Sequence, residues 1–410
     1  MLRCRMIQKH TGENSMKTAS EKKEKSGLTE ELVEVRELAK GHVQKFSTHG
    51  LPLCALCGKA QEDIGEHLNK NHDMSVGAYT ERHPDWPLEA DSSVSMGRGL
   101  DFKERKMIDF DVEELFGFRW PGKKRKVVQG FETPGPLTPE IDEGYVFNAE
   151  ITQVALLNVH LKNKCLTYGP TGSGKTSLWE QIAARLNYNC VRVNFDAGIT
   201  RADLVGQYVV EGREMRFAYG ILPMGMTLPG TIVILDEWDT ISEECSFVIQ
   251  RPLEKNSNLL LMEKSDELVK LHAANVIVAT ANTAGMGDET GLYSAGTRIQ
   301  NFSQVNRFEM TIILDYLPAQ EEVEILLKRF PDDIDEIEAK ALVQVATKVR
   351  EGFQKNELAA PMSTRDLINW GEKYCIWGDP MKSARYCFVN RSPFRDRKTI
   401  NGIIKRAFDT

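Results

Sequence analysis

From residue 151 onward, short apolar runs alternate with amphipathic stretches, and their spacing predicts a repeating order of strand and helix. The runs, each with β-branched residues, are Cys165–Gly169, Cys190–Phe195, Thr231–Asp236, Asn275–Asn282 and Met310–Leu317. The segments between them are long enough for crossover helices, so the five strands predict a parallel sheet covered on both faces. Beyond Pro318 the strand signal ends. AQEEVEILLKRF, DEIEAKALVQVATKVREGF and STRDLINWGEKYCIWG carry apolar residues at helical spacing, which predicts a small all-helical C-terminal domain.

The first 150 residues are less regular. Residues 1–50 read as a charged leader followed by an amphipathic helix from Leu28 to about Lys45. A compact Cys/His segment fills 51–90. The Ser/Gly-rich stretch DSSVSMGRG then opens a linker at 91–150, with one short helical pattern at Asp111–Phe116 and an irregular Pro/Gly-rich connector, PGKKRKVVQGFETPGPLTP. An α/β domain is expected at 151–318 and a helical domain with a C-terminal tail at 319–410.

With 41% hydrophobic and 27% charged residues, a chain of 410 residues is globular, not disordered throughout. No run approaches the roughly 20 apolar residues of a membrane helix, and the N-terminus lacks the apolar core of a secretory signal. The cytoplasm is therefore the expected compartment. A net charge of −7 argues against a surface built throughout for nucleic acid. Of the eight cysteines, only Cys54 and Cys57 form a pattern; the other six, scattered singly, are expected to be free thiols.

Gly169-Pro170-Thr171-Gly172-Ser173-Gly174-Lys175-Thr176 has the phosphate-loop spacing and stands directly between an expected strand and the helix SLWEQIAARL. Glycines there let backbone N–H groups turn onto phosphate oxygens at a helix N-terminus. Lys175 is placed to reach the β- and γ-phosphates, and the Thr176 hydroxyl to complete a Mg²⁺ shell. The run Thr231–Asp236 delivers two carboxylates at its C-terminal end. Asp236 is suited to hold Mg²⁺ through water, and Glu237 to polarise the attacking water as general base, an arrangement for ATP hydrolysis. Asn282, at the tip of the next strand, can hydrogen-bond both the γ-phosphate and that water.

These residues resemble the AAA+ ATPases, in which the Asn282 position is called sensor 1. The resemblance implies that Arg307, in Gln304-Val305-Asn306-Arg307-Phe308, is an arginine finger acting on the neighbouring subunit's ATP, and hence that the chain forms a ring, expected to be a hexamer. Arg365, in MSTRDLI, matches the sensor 2 arginine. Longer phrases, QIAARLNYNCVRVNFDAGITRADLVGQ, GILPMGM, FVIQRPLE, ATANTAGMGDETGLY and MSTRDLINW, resemble the MoxR branch and, within it, the CobS-type ATPase subunits of cobaltochelatases, over about residues 106–375. That likeness implies a partner with a von Willebrand A domain and a large chelatase subunit that inserts the metal; a remodelling ATPase with another protein or nucleoprotein client is the alternative. It also implies two insertions, at Asp203–Tyr219 and Asn256–His272, facing the pore or a partner. Tyr145 and Phe147 lie where the family's adenine pocket begins. A flat ring there either stacks on adenine or fills the core beneath the connector.

Cys54, Cys57, His67 and His72 form C-x₂-C-x₉-H-x₄-H, a closed set suited to structural zinc, and resemble the compact prokaryotic fingers of the Ros/MucR type. His42, His49 and His83 are alternative ligands. The segment is more acidic than basic, which weakens a phosphate-tracking role, and leaves DNA or protein as its partner. Lys123–Lys126 is the one dense basic run, either a solvated linker or a contact for nucleic acid or an acidic partner.

Overall fold

A computed structural model describes residues 64–83, 104–120, 127–196, 198–211, 214–287 and 296–408, with Leu56 and Phe102 in addition. The expected helix at Leu28–Lys45, the cysteines Cys54 and Cys57, and the run Lys123–Lys126 lie outside the described residues. The chain divides into two units, Met1–Met96 and Gly97–Thr410.

In the first unit, helix α1 (Ile64–His72) is followed by α2 (Val76–Arg82), whose N-terminus is capped by Ser75 accepting from the Ala78 amide. Among its described residues, Leu68 and Tyr79 are fully buried.

The second unit opens with an antiparallel pair, β1 (Met107–Asp111) and β2 (Val127–Phe131), joined through the short helix α3 (Val112–Phe116). Strand β2 falls within the connector expected to be irregular. Its inward residues Val128 and Phe131 are buried, and the Phe131 amide donates to Leu186 O at 2.9 Å, so tertiary pairing orders a segment that has no long pattern of its own. Then follow α4 (Ala149–Leu161), β3 (Cys165–Tyr168), α5 (Lys175–Arg185), β4 (Asn189–Asn194), α6 (Arg201–Val205), the hairpin β5 (Gly206–Glu211) and β6 (Glu214–Tyr219), α7 (Ile221–Thr227), β7 (Thr231–Asp236), α8 (Glu243–Gln250), the hairpin β8 (Asn258–Leu261) and β9 (Glu267–Lys270), β10 (Val276–Ala281), α9 (Phe302–Val305) and β11 (Met310–Ile313).

Five strands form one parallel sheet in the order β11-β3-β10-β7-β4. Every residue of β7 and of β10 is buried, which is why these strands read as unbroken apolar runs. Alternate residues serve opposite cores. Val233, Leu235, Ile277 and Ala279 face the core that includes Trp238, Phe308 and both hairpins, while Ile232, Ile234, Val276 and Val278 face the core built on α4, α5 and β2.

The hairpins occupy the two expected insertions and are fastened to one another. Arg201 Nε lies 2.6 Å from Glu263 Oε1, Tyr219 OH donates to Glu267 Oε1 at 2.9 Å, and the Lys264 ammonium sits 2.8 Å from Glu267 Oε2 and over the Tyr219 ring. At the start of the two central strands Asn275 is a buried clasp: its Oδ1 accepts from the Thr231 amide at 2.9 Å and its Nδ2 donates to Gly225, Met226 and Leu228 carbonyls.

After β11 the chain is helical: α10 (Ala319–Arg329), α11 (Glu336–Gln354), α12 (Thr364–Trp377), α13 (Pro380–Cys387) and α14 (Phe394–Phe408). Reciprocal capping boxes start α11 (Asp335 with Glu338) and α12 (Ser363 with Asp366). The segment read as a tail is mostly α13 and α14, and Ile400, Ile404 and Ala407 of α14 belong to the core of this helical lid. The described cysteines, Cys165, Cys190, Cys245, Cys375 and Cys387, are unbridged. Among the described residues no helix is long and apolar enough to cross a membrane.

Candidate nucleotide site

Strands β3, β10 and β7 are neighbours and run in the same direction, so the segments leaving their C-terminal ends meet. From β3 comes the loop Gly169–Gly174, running into α5. The loop is tightly held on both sides. At Gly169 (φ +155°) a Cβ would stand 2.0 Å from Leu314 O, and at Gly172 (φ +71°) one would stand 2.6 Å from Ser363 Cβ. Neither position can take a side chain while the loop lies between the strand β11 exit and the lid.

Lys175 Nζ folds across the loop, donating to Gly169 O and Pro170 O at 2.9 Å each and to Asn282 Oδ1 at 3.1 Å. Burial lowers its pKa to about 8, against the opposing pull of Asp239, Asp236 and Glu237. Thr176 Oγ1 donates to Asp236 Oδ1 at 2.8 Å. Thr280 Oγ1 donates to the same oxygen, and Arg192 Nε donates to Oδ2 at 2.6 Å. A hydroxyl touching a carboxylate at the mouth of a phosphate loop is a donor set that fits Mg²⁺, which keeps several waters when bound.

Glu237 is exposed and takes a left-handed backbone conformation, φ +54°. That costs an L-residue about 1–2 kcal/mol and turns the chain sharply away from β7. Its carboxyl pKa is raised by desolvation and by the Asp236 and Asp239 charges, which moves it toward the range useful to a general base. Asp239 is fully buried. Its Oδ2 accepts from the amides of Asn282 at 3.0 Å and Thr283 at 2.9 Å and from Thr283 Oγ1 at 3.0 Å, fixing the turn that presents Asn282; burial raises its pKa.

Beside the loop, a cavity of about 320 Å³ lies between α5, the 142–148 segment and the lid; Tyr145, Gly174, Leu178 and Arg365 are among its lining residues. Phe147 is not. It packs against Phe116 with ring centroids 5.0 Å apart and lies beneath the Arg185 guanidinium, so of the two aromatics it takes the core position, although the segment's spacing gives both the same parity. Arg365 and Arg329 reach the cavity from the lid, the latter paired with Asp142. Arg307 stands outside it, donating to Ser303 O and lying 3.8 Å from Glu254 Oε1.

The start of α12, and so Arg365, is held by a buried ion pair that sequence reading did not find. Arg350 Nη1 and Nη2 donate to Glu322 Oε2 and Oε1, each at 2.8 Å, and its Nε to Met362 O at 2.7 Å. Thr364 Oγ1 donates to Glu322 Oε1 at 2.6 Å. The Arg350 guanidinium also covers the Tyr316 ring, whose hydroxyl donates to Thr171 O in the phosphate loop at 3.2 Å. Arg192, Asp239, Thr280 and this pair were all invisible as partners in one dimension; only the DEWD and ATAN phrases hinted at two of them.

His67 and His72 face each other on α1, with Nε2 atoms 3.2 Å apart. Among the described residues no cluster of three or more His, Cys, Asp or Glu is arranged to hold a metal.

A five-stranded parallel sheet of this order, with a phosphate loop after β3, an acidic pair after β7, a polar amide after β10 and a helical lid, defines a AAA+ P-loop ATPase. Residues 164–298 match the family described as AAA domain (dynein-related subfamily), and residues 322–409 match the CbbQ/NirQ/NorQ C-terminal family. The chain is 34% identical over 316 residues to the aerobic cobaltochelatase subunit CobS of Sinorhizobium sp, covering 75% of this chain and 93% of that protein. It is 29% identical to protein CbbQ of Hydrogenophilus thermoluteolus over 203 residues (50% of this chain, 71% of CbbQ). To protein NorQ of Paracoccus denitrificans it is 28% identical over 230 residues (56% of this chain, 77% of NorQ). The chain belongs to the CobS/CbbQ/NorQ-type AAA+ ATPases of the MoxR branch.

Proposed function

We propose that the chain assembles into a ring, a hexamer, in which Lys175, Thr176, Asp236, Glu237 and Asn282 of one subunit and Arg307 of the next hydrolyse ATP, with Arg365 tying lid position to the nucleotide. Mg²⁺ held at Thr176 and Asp236 would neutralise charge on the phosphates. Tyr145 is the aromatic offered to the adenine. The position of Arg307, outside the cavity of its own chain, supports action in trans. Mixing Arg307→Ala chains with Lys175→Ala chains tests it, because only such mixed junctions hold a complete site; no activity in the mixture would count against it.

The work done is the driving of a partner chelatase, with a von Willebrand A-domain protein and a large subunit that inserts cobalt into a corrin. The observation carrying this is the match across 93% of CobS. In the test, a large chelatase subunit is assayed for cobalt insertion with ATP and either the wild-type chain or Glu237→Gln. Insertion with the first and not the second supports the reading; an active ATPase without insertion points to the alternative, a remodelling ATPase with another protein or nucleoprotein client.

The N-terminal unit favours a separate recruiting role, and the CobS match leaves a quarter of the chain outside it. Cys54, Cys57, His67 and His72 are proposed to hold structural zinc. The 3.2 Å separation of the two Nε2 atoms is close to the about 3.4 Å edge of a zinc tetrahedron with Zn–N near 2.1 Å. One equivalent of zinc in the purified protein, lost in Cys54→Ser, is the expected result, and metal-free wild type would dismiss it.

A further inference from the structure

The turn after β7 places three consecutive residues against three different functional elements. Glu237 lies within the field of Lys175 of the phosphate loop, and Asp239 fastens the Asn282–Thr283 turn. Between them, Trp238 is fully buried, and its ring meets Phe308 edge-on, with centroids 5.2 Å apart and planes at 85°. Phe308 directly follows Arg307. Gly285, just beyond Asn282, packs beneath the same indole: a Cβ there would stand 3.2 Å from Trp238 Cζ3 and 3.4 Å from Val305 Cγ2 of α9.

The segment leading to Arg307 is fastened to this turn by its backbone as well. The Arg298 amide donates to Asp239 O at 2.8 Å, and the Gln300 amide to Gly285 O at 2.8 Å. Gln304 bonds Ser246 on α8. The segment 298–308 is thus set by the turn, while the Arg307 guanidinium makes its contacts with Ser303 O and Glu254. The Trp238 Nε1 has no hydrogen-bond partner among the described residues, and the contact with Phe308 works by shape, through close packing.

We propose that Trp238 is a positioning residue for Arg307, fixing the direction in which the finger leaves its own subunit. The turn that presents Glu237 to one ATP therefore also aims the arginine used on the next. The inference rests on the reading of Arg307 as a finger acting in trans.

The test uses the mixture of Arg307→Ala and Lys175→Ala chains, in which ATP is hydrolysed only where the intact site of the first meets the intact finger of the second. Trp238→Leu is added to one chain or to the other, and assembly and ATP binding are measured alongside. On the finger-donating Lys175→Ala chain it should lower turnover about a hundredfold, as misplacement of a catalytic group by about 1 Å does, and on the site-bearing chain by less than about threefold. Phe308→Leu should reproduce the asymmetry from the opposite side of the contact, and Trp238→Phe should restore most of the activity; these two carry the same comparison where Trp238→Leu does not assemble. Loss that follows the site-bearing chain, or falls equally on both, overturns the inference alone. An inactive parent mixture overturns the trans reading, and the inference with it.

Discussion

Replacing Arg350 by Met isolates the buried ion pair at the root of α12. Glu322 is wholly buried and Arg350 is only 11% exposed, so the substitution would strand a carboxylate whose remaining described partner is the Thr364 hydroxyl. It also removes the donor to Met362 O and the cation over Tyr316. Breaking such a pair from one side costs about 3–5 kcal/mol, because the partner charge stays desolvated. At about 1.4 kcal/mol per tenfold, amide exchange in helix 364–377 should accelerate between about a hundredfold and a few thousandfold. The Glu322→Leu/Arg350→Met double variant, with no charge left behind, should recover much of that loss. Hydrogen exchange resolved along the chain reads both effects in the lid separately from the sheet. Acceleration below about tenfold in the single variant, or a double variant as labile as the single, would show that the network does not hold the lid as described.

Glu237→Gln should keep ATP binding and ring assembly while abolishing turnover, measured by phosphate release against nucleotide retention; an active variant removes Glu237 as the base. Because burial holds Lys175 near a pKa of about 8, its charge is present at neutral pH and is lost as pH rises through that value. ATP affinity should therefore be steady near pH 7 and fall above about 8, approaching tenfold per pH unit; titration calorimetry showing no fall up to about pH 9.5 would contradict this. Gly172→Ala forces a methyl into Ser363 at a left-handed position, so it should raise KM for ATP far more than it lowers kcat at saturation, and an unchanged KM would show that the lid yields freely there.

The central sheet was legible in the sequence because β7 and β10 are buried on both faces and leave unbroken apolar runs, and the phosphate loop because its glycines answer a local backbone requirement. Strand β2 was not, since its five residues draw their order from β1 and from Leu186. Partnerships across the fold left still less trace. Arg192 lies 44 residues before Asp236 and looks like any outward position on a strand. Tyr145 and Phe147 could not be told apart because the segment holding them is irregular, so no period assigns a face. The Glu322–Arg350 pair joins two helices whose charged positions each read as ordinary solvent-facing turns.

The two clasped hairpins have a mechanical consequence. One runs through α7 into β7, which is followed by Glu237; the other runs directly into β10, which is followed by Asn282, and Asn275 ties the roots of both strands. The arms expose Val210, Met215 and Met262 while the Tyr219, Lys264 and Glu267 cluster keeps them from parting. Force applied to either arm is shared before it reaches the sheet and enters through two neighbouring strands at once. Glu237 and Asn282, proposed as general base and γ-phosphate sensor, are in this way geared to a single linkage, and a load cannot be put on one without reaching the other.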